Sequence, residues 1–233
     1  MPDAIYAAYT GAIANLEDLE VIANNVANVG TSGFRRHQTN FESVYGPILS
    51  FVRVSGSRID LSPGARKATN DPLHGAIEGD GLFVITGSDG TELYTRRGDF
   101  RVDAQGQLVL PNGLAVQGEG GALVVPPGSR AELTADGTVL TEAGPIGRLK
   151  QVRFADGSEL EKVGNSLLAA APGAAPEDVS DPKIAVGFVE GSNVNLAAEM
   201  VGLIQATRAF EAAMRTVLIN DELTASLIQR MMA

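Results

Sequence analysis

The chain has 233 residues, 44% of them hydrophobic and 20% charged, so it is long and apolar enough to bury a core of one or two domains. A net charge of -10 argues against a broad electrostatic grip on nucleic acid or on an anionic membrane. With no cysteine there is no disulfide, thiolate metal site or thiol nucleophile, and no stretch reaches the roughly 18 apolar residues of a membrane span.

The start, Met1-Pro2-Asp3-Ala4-Ile5, is acidic and lacks the basic and apolar regions of a cleavable signal peptide, which taken alone reads as cytoplasmic. From there a helix is expected to about Val29. Its apolar or small residues Ile5, Tyr9, Ala12, Leu16, Leu19, Ala23 and Val26 alternate in steps of four and three, the spacing of a heptad seam. Full burial of that seam supplies at most about 10–15 kcal/mol. Ordering about 27 residues costs roughly 1–2 kcal/mol each in backbone entropy, so the helix should be marginal until the seam meets another helix. Asn28 and Gly30 are expected to end it by entering the left-handed region, with Gly33 allowing a second bend.

The middle is built differently: 21 of the 27 glycines lie between residues 51 and 187. Turn signals recur about every 8 to 12 residues, at Asp89-Gly90, Arg97-Gly98, Gln105-Gly106, Asn112-Gly113, Asp136-Gly137 and Asp156-Gly157. Strands are expected between them at 82–86, 100–102, 107–110, 122–125, 132–134 and 149–154. The small and proline-rich stretch 170–182 reads as a surface loop. The result is a mainly β core, an irregular sandwich or barrel.

The last segment returns to the helical pattern. Met200, Leu203, Thr207, Phe210, Met214 and Val217 alternate in steps of three and four, resuming at Thr224, Ile228 and Met231 after an interruption at Asp221. Expected domains are therefore 1–50 with 188–233, a helical assembly domain of coiled-coil type, and 51–187, a β-rich core. The two helices either pair only within one chain or complete their seams with neighbouring copies.

Catalytic chemistry has little to stand on. The carboxylate pairs Glu78 with Asp80, Glu17 with Asp18, and Asp221 with Glu222 each have a plain reading as a turn or a solvated helix face. His37 and His74 lie far apart with no second ligand at metal spacing, and no nucleotide-binding or hydrolase motif occurs. No enzyme activity, catalytic residue, metal or cofactor is expected. A β domain on a helical stalk that binds a glycan or peptide is a third class, but with no tryptophan it has little for an aromatic sugar platform.

After the first helix stands Asn24-Asn25-Val26-Ala27-Asn28-Val29-Gly30-Thr31-Ser32-Gly33-Phe34-Arg35-Arg36. This closely resembles the signature of the bacterial flagellar rod and hook protein family. The resemblance continues through Ala76-Ile77-Glu78-Gly79-Asp80-Gly81-Leu82-Phe83-Val84 and Tyr94-Thr95-Arg96-Arg97-Gly98-Asp99-Phe100. It closes on Gly187-Phe188-Val189-Glu190-Gly191-Ser192-Asn193-Val194-Asn195 and the helix beyond, and so covers nearly the whole chain. Ile5-Tyr6, Gly118-Glu119-Gly120-Gly121, Gly147-Arg148-Leu149-Lys150 and the shortness of the chain look more like the proximal-rod branch than the distal-rod branch.

The resemblance implies a structural subunit of the basal-body rod, the drive shaft, with itself and other rod subunits as partners. It further implies export without a cleaved signal through the flagellar type III apparatus and assembly in the periplasm, which replaces the cytoplasmic reading. Neither nucleic acid binding nor membrane insertion is implied. The residues expected at the assembly interface are Ile5, Tyr9, Leu16, Leu19, Asn24, Asn25, Asn28, Phe34, Met200, Leu203, Phe210, Met214 and Val217.

Overall fold

The computed structural model describes residues 2–45 and 50–232. The chain opens with α1 (Pro2–Ala27), a 26-residue helix with Pro2 at its first position, where a missing N–H costs nothing. A hairpin follows, β1 (His37–Tyr45) with β2 (Ser50–Ile59). The chain closes with α2 (Leu196–Met232), 37 residues long. Asp221 lies inside α2 without breaking it.

Between these stand short strands: β3 (Arg66–Ala68), β4 (Gly75–Ile77), β5 (Leu82–Thr86), β6 (Glu92–Thr95), β7 (Arg101–Val102), β8 (Leu108–Val109), β9 (Ala115–Gly118) and β10 (Gly121–Ala122). Then come β11 (Ala131–Leu133), β12 (Thr138–Thr141), β13 (Gly144–Arg148), β14 (Gln151–Arg153), β15 (Leu160–Gly164), β16 (Leu167–Ala170), β17 (Glu177–Asp178), β18 (Ile184–Val186) and β19 (Phe188–Glu190).

The chain forms two compact units. Met1–Ala27, His37–Arg58 and Asn195–Ala233 make the helical unit, and Asn28–Arg36 with Ile59–Val194 make the β unit. The largest sheet of the β unit runs β15-β16-β6-β5-β9-β8-β7, with β14 also on β5, β17 on β14 and β10 on β9. The strands β11, β12 and β13 form a separate antiparallel sheet. The protein is thus mainly β, with a helix at each end.

The central strand shows why the sequence folds this way. Leu82-Phe83-Val84-Ile85 is apolar without a break because β5 is covered on both faces. Phe83 and Ile85 enter one cluster with Phe100, Leu110, Val116 and Leu149. Leu82 and Val84 point the opposite way, into a second cluster with Ile59, Tyr94, Val152 and Phe154. Each cluster holds an edge-to-face aromatic pair, Phe83 with Phe100 at 5.0 Å and Tyr94 with Phe154 at 4.9 Å.

The turn signals divide into two kinds. Gly90, Gly106, Gly113 and Gly137 have positive φ and turn the chain between neighbouring strands. Gly98 and Gly157 do not: a Cβ at Gly98 would lie 1.7 Å from the carbonyl oxygen of Gly75, and one at Gly157 would lie 1.8 Å from that of Ile59. There glycine serves close backbone approach, which a dipeptide cannot announce. The stretch 170–182 departs from a plain loop, because β17 returns to pair with β14 through Val152 opposite Asp178 and Arg153 opposite Glu177.

Candidate assembly interface

Within the helical unit the two long helices run antiparallel. Ile22 lies against Gly202, whose Cβ would stand 3.4 Å from Ile22 Cδ1, and Asn25 bonds Glu199. Ala12, Ala14, Ile22 and Asn25 on α1 are buried, as are Glu199 and Ala206 on α2. Leu203, Phe210, Met214 and Val217 are half-buried on α2, as are Ile5 and Leu19 on α1. The residues expected at a seam are thus divided. Tyr9 is 55% exposed, Leu16 45% and Met200 46%, on faces the partner helix of the same chain does not cover.

Those faces carry more apolar surface. On α1 Tyr6 and Ile13 join Tyr9 and Leu16, while on α2 Val201, Ile204, Leu218, Ile219, Leu223, Met231 and Met232 are all exposed. Isolated exposed apolar residues are ordinary, whereas a run of them at helical spacing marks a contact surface. The side chain of Ile228 lies outside the described residues. Among the described residues no helix is long and apolar enough to cross a membrane.

The asparagines do different work. Asn25 is 1% exposed, and its carboxamide clamps the backbone of His37, accepting from the amide at 2.9 Å and donating to the carbonyl at 2.8 Å. It thereby ties the end of α1 to the start of β1. Asn28 closes the helix with its carbonyl, which accepts from the Thr31 amide at 3.1 Å, and its side chain accepts from the Thr31 hydroxyl. Neither Asn28 nor Gly30 has positive φ, so the expected left-handed stop is replaced by an ordinary turn. Gly33 does have positive φ, and a Cβ there would lie 2.4 Å from the Arg97 amide nitrogen. Asn24 is exposed.

Sequence reasoning did not find the buried charge cluster of the β unit. Glu190, 1% exposed, pairs with Arg35 at 2.5 Å and Arg96 at 3.2 Å, and accepts from the Gly64 amide at 2.7 Å. Burial pulls the Arg96 guanidinium down to about 10, opposed by the nearby Glu190 carboxylate, so it stays charged at neutral pH. Next to it Asn193 accepts from the Arg36 amide at 2.7 Å and donates to the carbonyls of Asp60 and Ser62. The three stretches by which the chain enters and leaves the β unit are therefore laced together. Phe34 is buried in the same region, with the Lys162 ammonium 3.9 Å from its ring centroid.

The other titratable candidates are placed plainly. Glu78 is ion-paired with Arg66, and His74 Nδ1 lies 2.9 Å from the Thr69 hydroxyl. Among the described residues no group of three His, Asp or Glu is placed to hold a metal ion.

Three family models match in chain order: the flagellar basal-body rod protein model at residues 5–35, the FlgE/F/G hook protein D1 domain at 76–141, and the FlgEFG rod C-terminal model at 185–230. The FlgF rod protein of Salmonella typhimurium is 35% identical over 95% of both chains, and that of Escherichia coli is equally similar. This chain belongs to the flagellar basal-body rod protein family. The FlgG rod protein of Buchnera aphidicola from Baizongia pistaciae is 30% identical over 97% of this chain and 99% of its own, so among these rod proteins the likeness leans to FlgF. The buried cluster of this rod-family chain draws one charged residue from each matched stretch, Arg35, Arg96 and Glu190. What the motifs share is thus a contact, although they lie far apart in sequence.

Proposed function

We propose that this chain is a structural subunit of the flagellar rod, of the FlgF-like proximal type, and that its helical unit is the assembly domain. The helices act as a coiled-coil pair that buries its outer faces against neighbouring subunits, including copies of itself. In this reading Ile5, Leu19, Leu203, Phe210, Met214 and Val217 hold the pair together, while Tyr9, Leu16 and Met200 face neighbours. Asn25, Asn28 and Phe34 act within the chain: Asn25 ties the end of α1 to β1, Asn28 closes the turn at Thr31, and Phe34 is buried in the β unit. The subunit is exported uncleaved by the flagellar type III apparatus and assembles in the periplasm, with no catalytic role.

The observation that supports this most is the row of apolar side chains left exposed on both helices. A heterologous contact of this kind grows into a helical polymer, whereas a stalked binding module closes into a small oligomer. The test is to tag the chain in flagellated cells, isolate basal bodies and locate the tag by electron microscopy. Label on the rod is expected. Motile cells whose basal bodies lack the chain would overturn the reading.

A further inference from the structure

The sequence places asparagine directly before glycine once, at Asn112-Gly113. This pair turns the hairpin between β8 and β9, neighbouring strands of the main sheet that meet through Val109 opposite Ala115. Both residues are exposed, and nothing lies within 4 Å of where a Cβ on Gly113 would stand, so the turn is open to solvent. Its flanks are anchored: Leu110 is 0% and Val116 1% exposed, both in one apolar cluster.

We propose that Asn112 is a deamidation site gated by its own turn. The closed hairpin holds the reaction back, opening releases it, and the isoaspartate that forms prevents the hairpin from closing again.

The chemistry needs only water and hydroxide. The Gly113 backbone nitrogen gives its proton to hydroxide and attacks Cγ of Asn112. The N–Cγ bond forms as the Cγ–Nδ2 bond breaks, and Nδ2 leaves as ammonia after taking a proton from water. The product is a five-membered succinimide, and glycine favours it because no side chain crowds the attacking nitrogen. Water then opens the ring at either carbonyl. Breaking the N–Cγ bond gives aspartate, while breaking the original peptide bond gives isoaspartate, whose main chain runs through Cβ and Cγ and is one carbon longer.

The folded turn occupies both reacting parts. The Gly113 amide donates to the Leu110 carbonyl at 2.8 Å, and Asn112 Oδ1 accepts from the Leu114 amide at 3.2 Å. The Leu110 amide in turn donates to the Leu114 carbonyl at 2.9 Å, so the nitrogen cannot swing onto Cγ until these bonds open together. The two products then differ in fate. Aspartate suits the site, because Asp89 and Asp103 accept from the amide two residues on, at Thr91 and Gln105, in the way Asn112 does. Isoaspartate does not, since the extra carbon lies between Leu110 and Leu114, whose mutual bond fixes the turn length.

The test holds the full-length chain in mildly alkaline buffer, one sample native and one in guanidinium chloride. The peptide carrying residue 112 is followed by mass spectrometry, with electron-transfer fragmentation separating aspartate from isoaspartate. Asn112 is expected to convert first among the asparagines of the unfolded sample, and about tenfold or more slowly in the native one. Isoaspartyl chains recovered from denaturant and refolded should exchange hydrogen faster at the Leu110 and Leu114 amides, whereas the Asn112→Asp variant keeps both protected. Equal rates in the two samples, another asparagine converting first, or an isoaspartyl chain with both amides still protected would each overturn the proposal.

Discussion

Glu190 joins three parts of the β unit at one buried carboxylate, through Arg35, Arg96 and the Gly64 amide. Its carboxylate holds two buried guanidinium groups, and removing its charge takes the ion-pair partner from both, leaving Arg96 only the more weakly acting Asp80 carboxylate. Breaking such a buried pair typically costs about 3–5 kcal/mol, so Glu190→Gln is expected to destabilise the β unit by that order in denaturant unfolding. A change below about 1 kcal/mol would show that the two arginines are compensated elsewhere. Lys162 gives a pH signature. Burial pulls its ammonium down from 10.5 to about 8, while the Phe34 ring favours the charged form. Between about pH 8 and 10.5 the unfolded lysine holds a proton that the folded one has released, so folding becomes more favourable as pH rises through that window. Lys162→Met should flatten this part of a stability-against-pH curve, and an unchanged slope would assign it to another group. None of these partners was legible from sequence, because Arg35 and Glu190 are 155 residues apart and no local pattern encodes a contact at that distance.

At the scale of elements, the long helices and the hairpin turns were legible because each follows from a short-range rule. Heptad spacing gave α1 and α2, and dipeptides ending in glycine gave the turns at Gly90, Gly106, Gly113 and Gly137. The function of the asparagines was not, since Asn25 finds its partner twelve residues on, at His37. Asn25→Ala removes three hydrogen bonds, two to the His37 backbone and one to the Glu199 carboxylate, and leaves half-buried backbone groups unmatched, an expected cost of about 1–3 kcal/mol confined to the helical unit. Hydrogen exchange should then quicken at the His37 amide and along the end of α1, with the β5 amides unchanged; uniform acceleration would mean that the two units unfold as one. A truncation at Val194 tests the same independence, because the Asn193 contacts stay in place while α2 is lost. The β unit should melt within a few degrees of the full chain, and rod incorporation and motility should be abolished. A truncated chain that cannot fold would make α2 an internal brace.

For the whole molecule, the two units are expected to differ in resistance. The β unit buries apolar clusters on both faces of its main sheet, whereas the helices leave much of their apolar surface to be covered by others. Limited proteolysis of the monomer should trim the two ends first and leave a fragment containing residues 76–154, as read by mass spectrometry. Early cleavage inside that range with intact ends would reverse the assignment of core and assembly surface.

The sequence by itself determined the helical ends, the turn-rich β middle and the family, because periodicity, turn chemistry and contiguous motifs are written in neighbouring residues. Only the tertiary structure decided that Phe34 and Asn25 are buried within the chain, that Gly98 is glycine for close approach, and which apolar helix positions remain uncovered. Burial and ion pairing depend on what the folded chain brings alongside a residue. A heptad marks an apolar stripe along a helix without naming what covers it, and the packing of α1 on α2 settles which apolar positions the chain covers for itself.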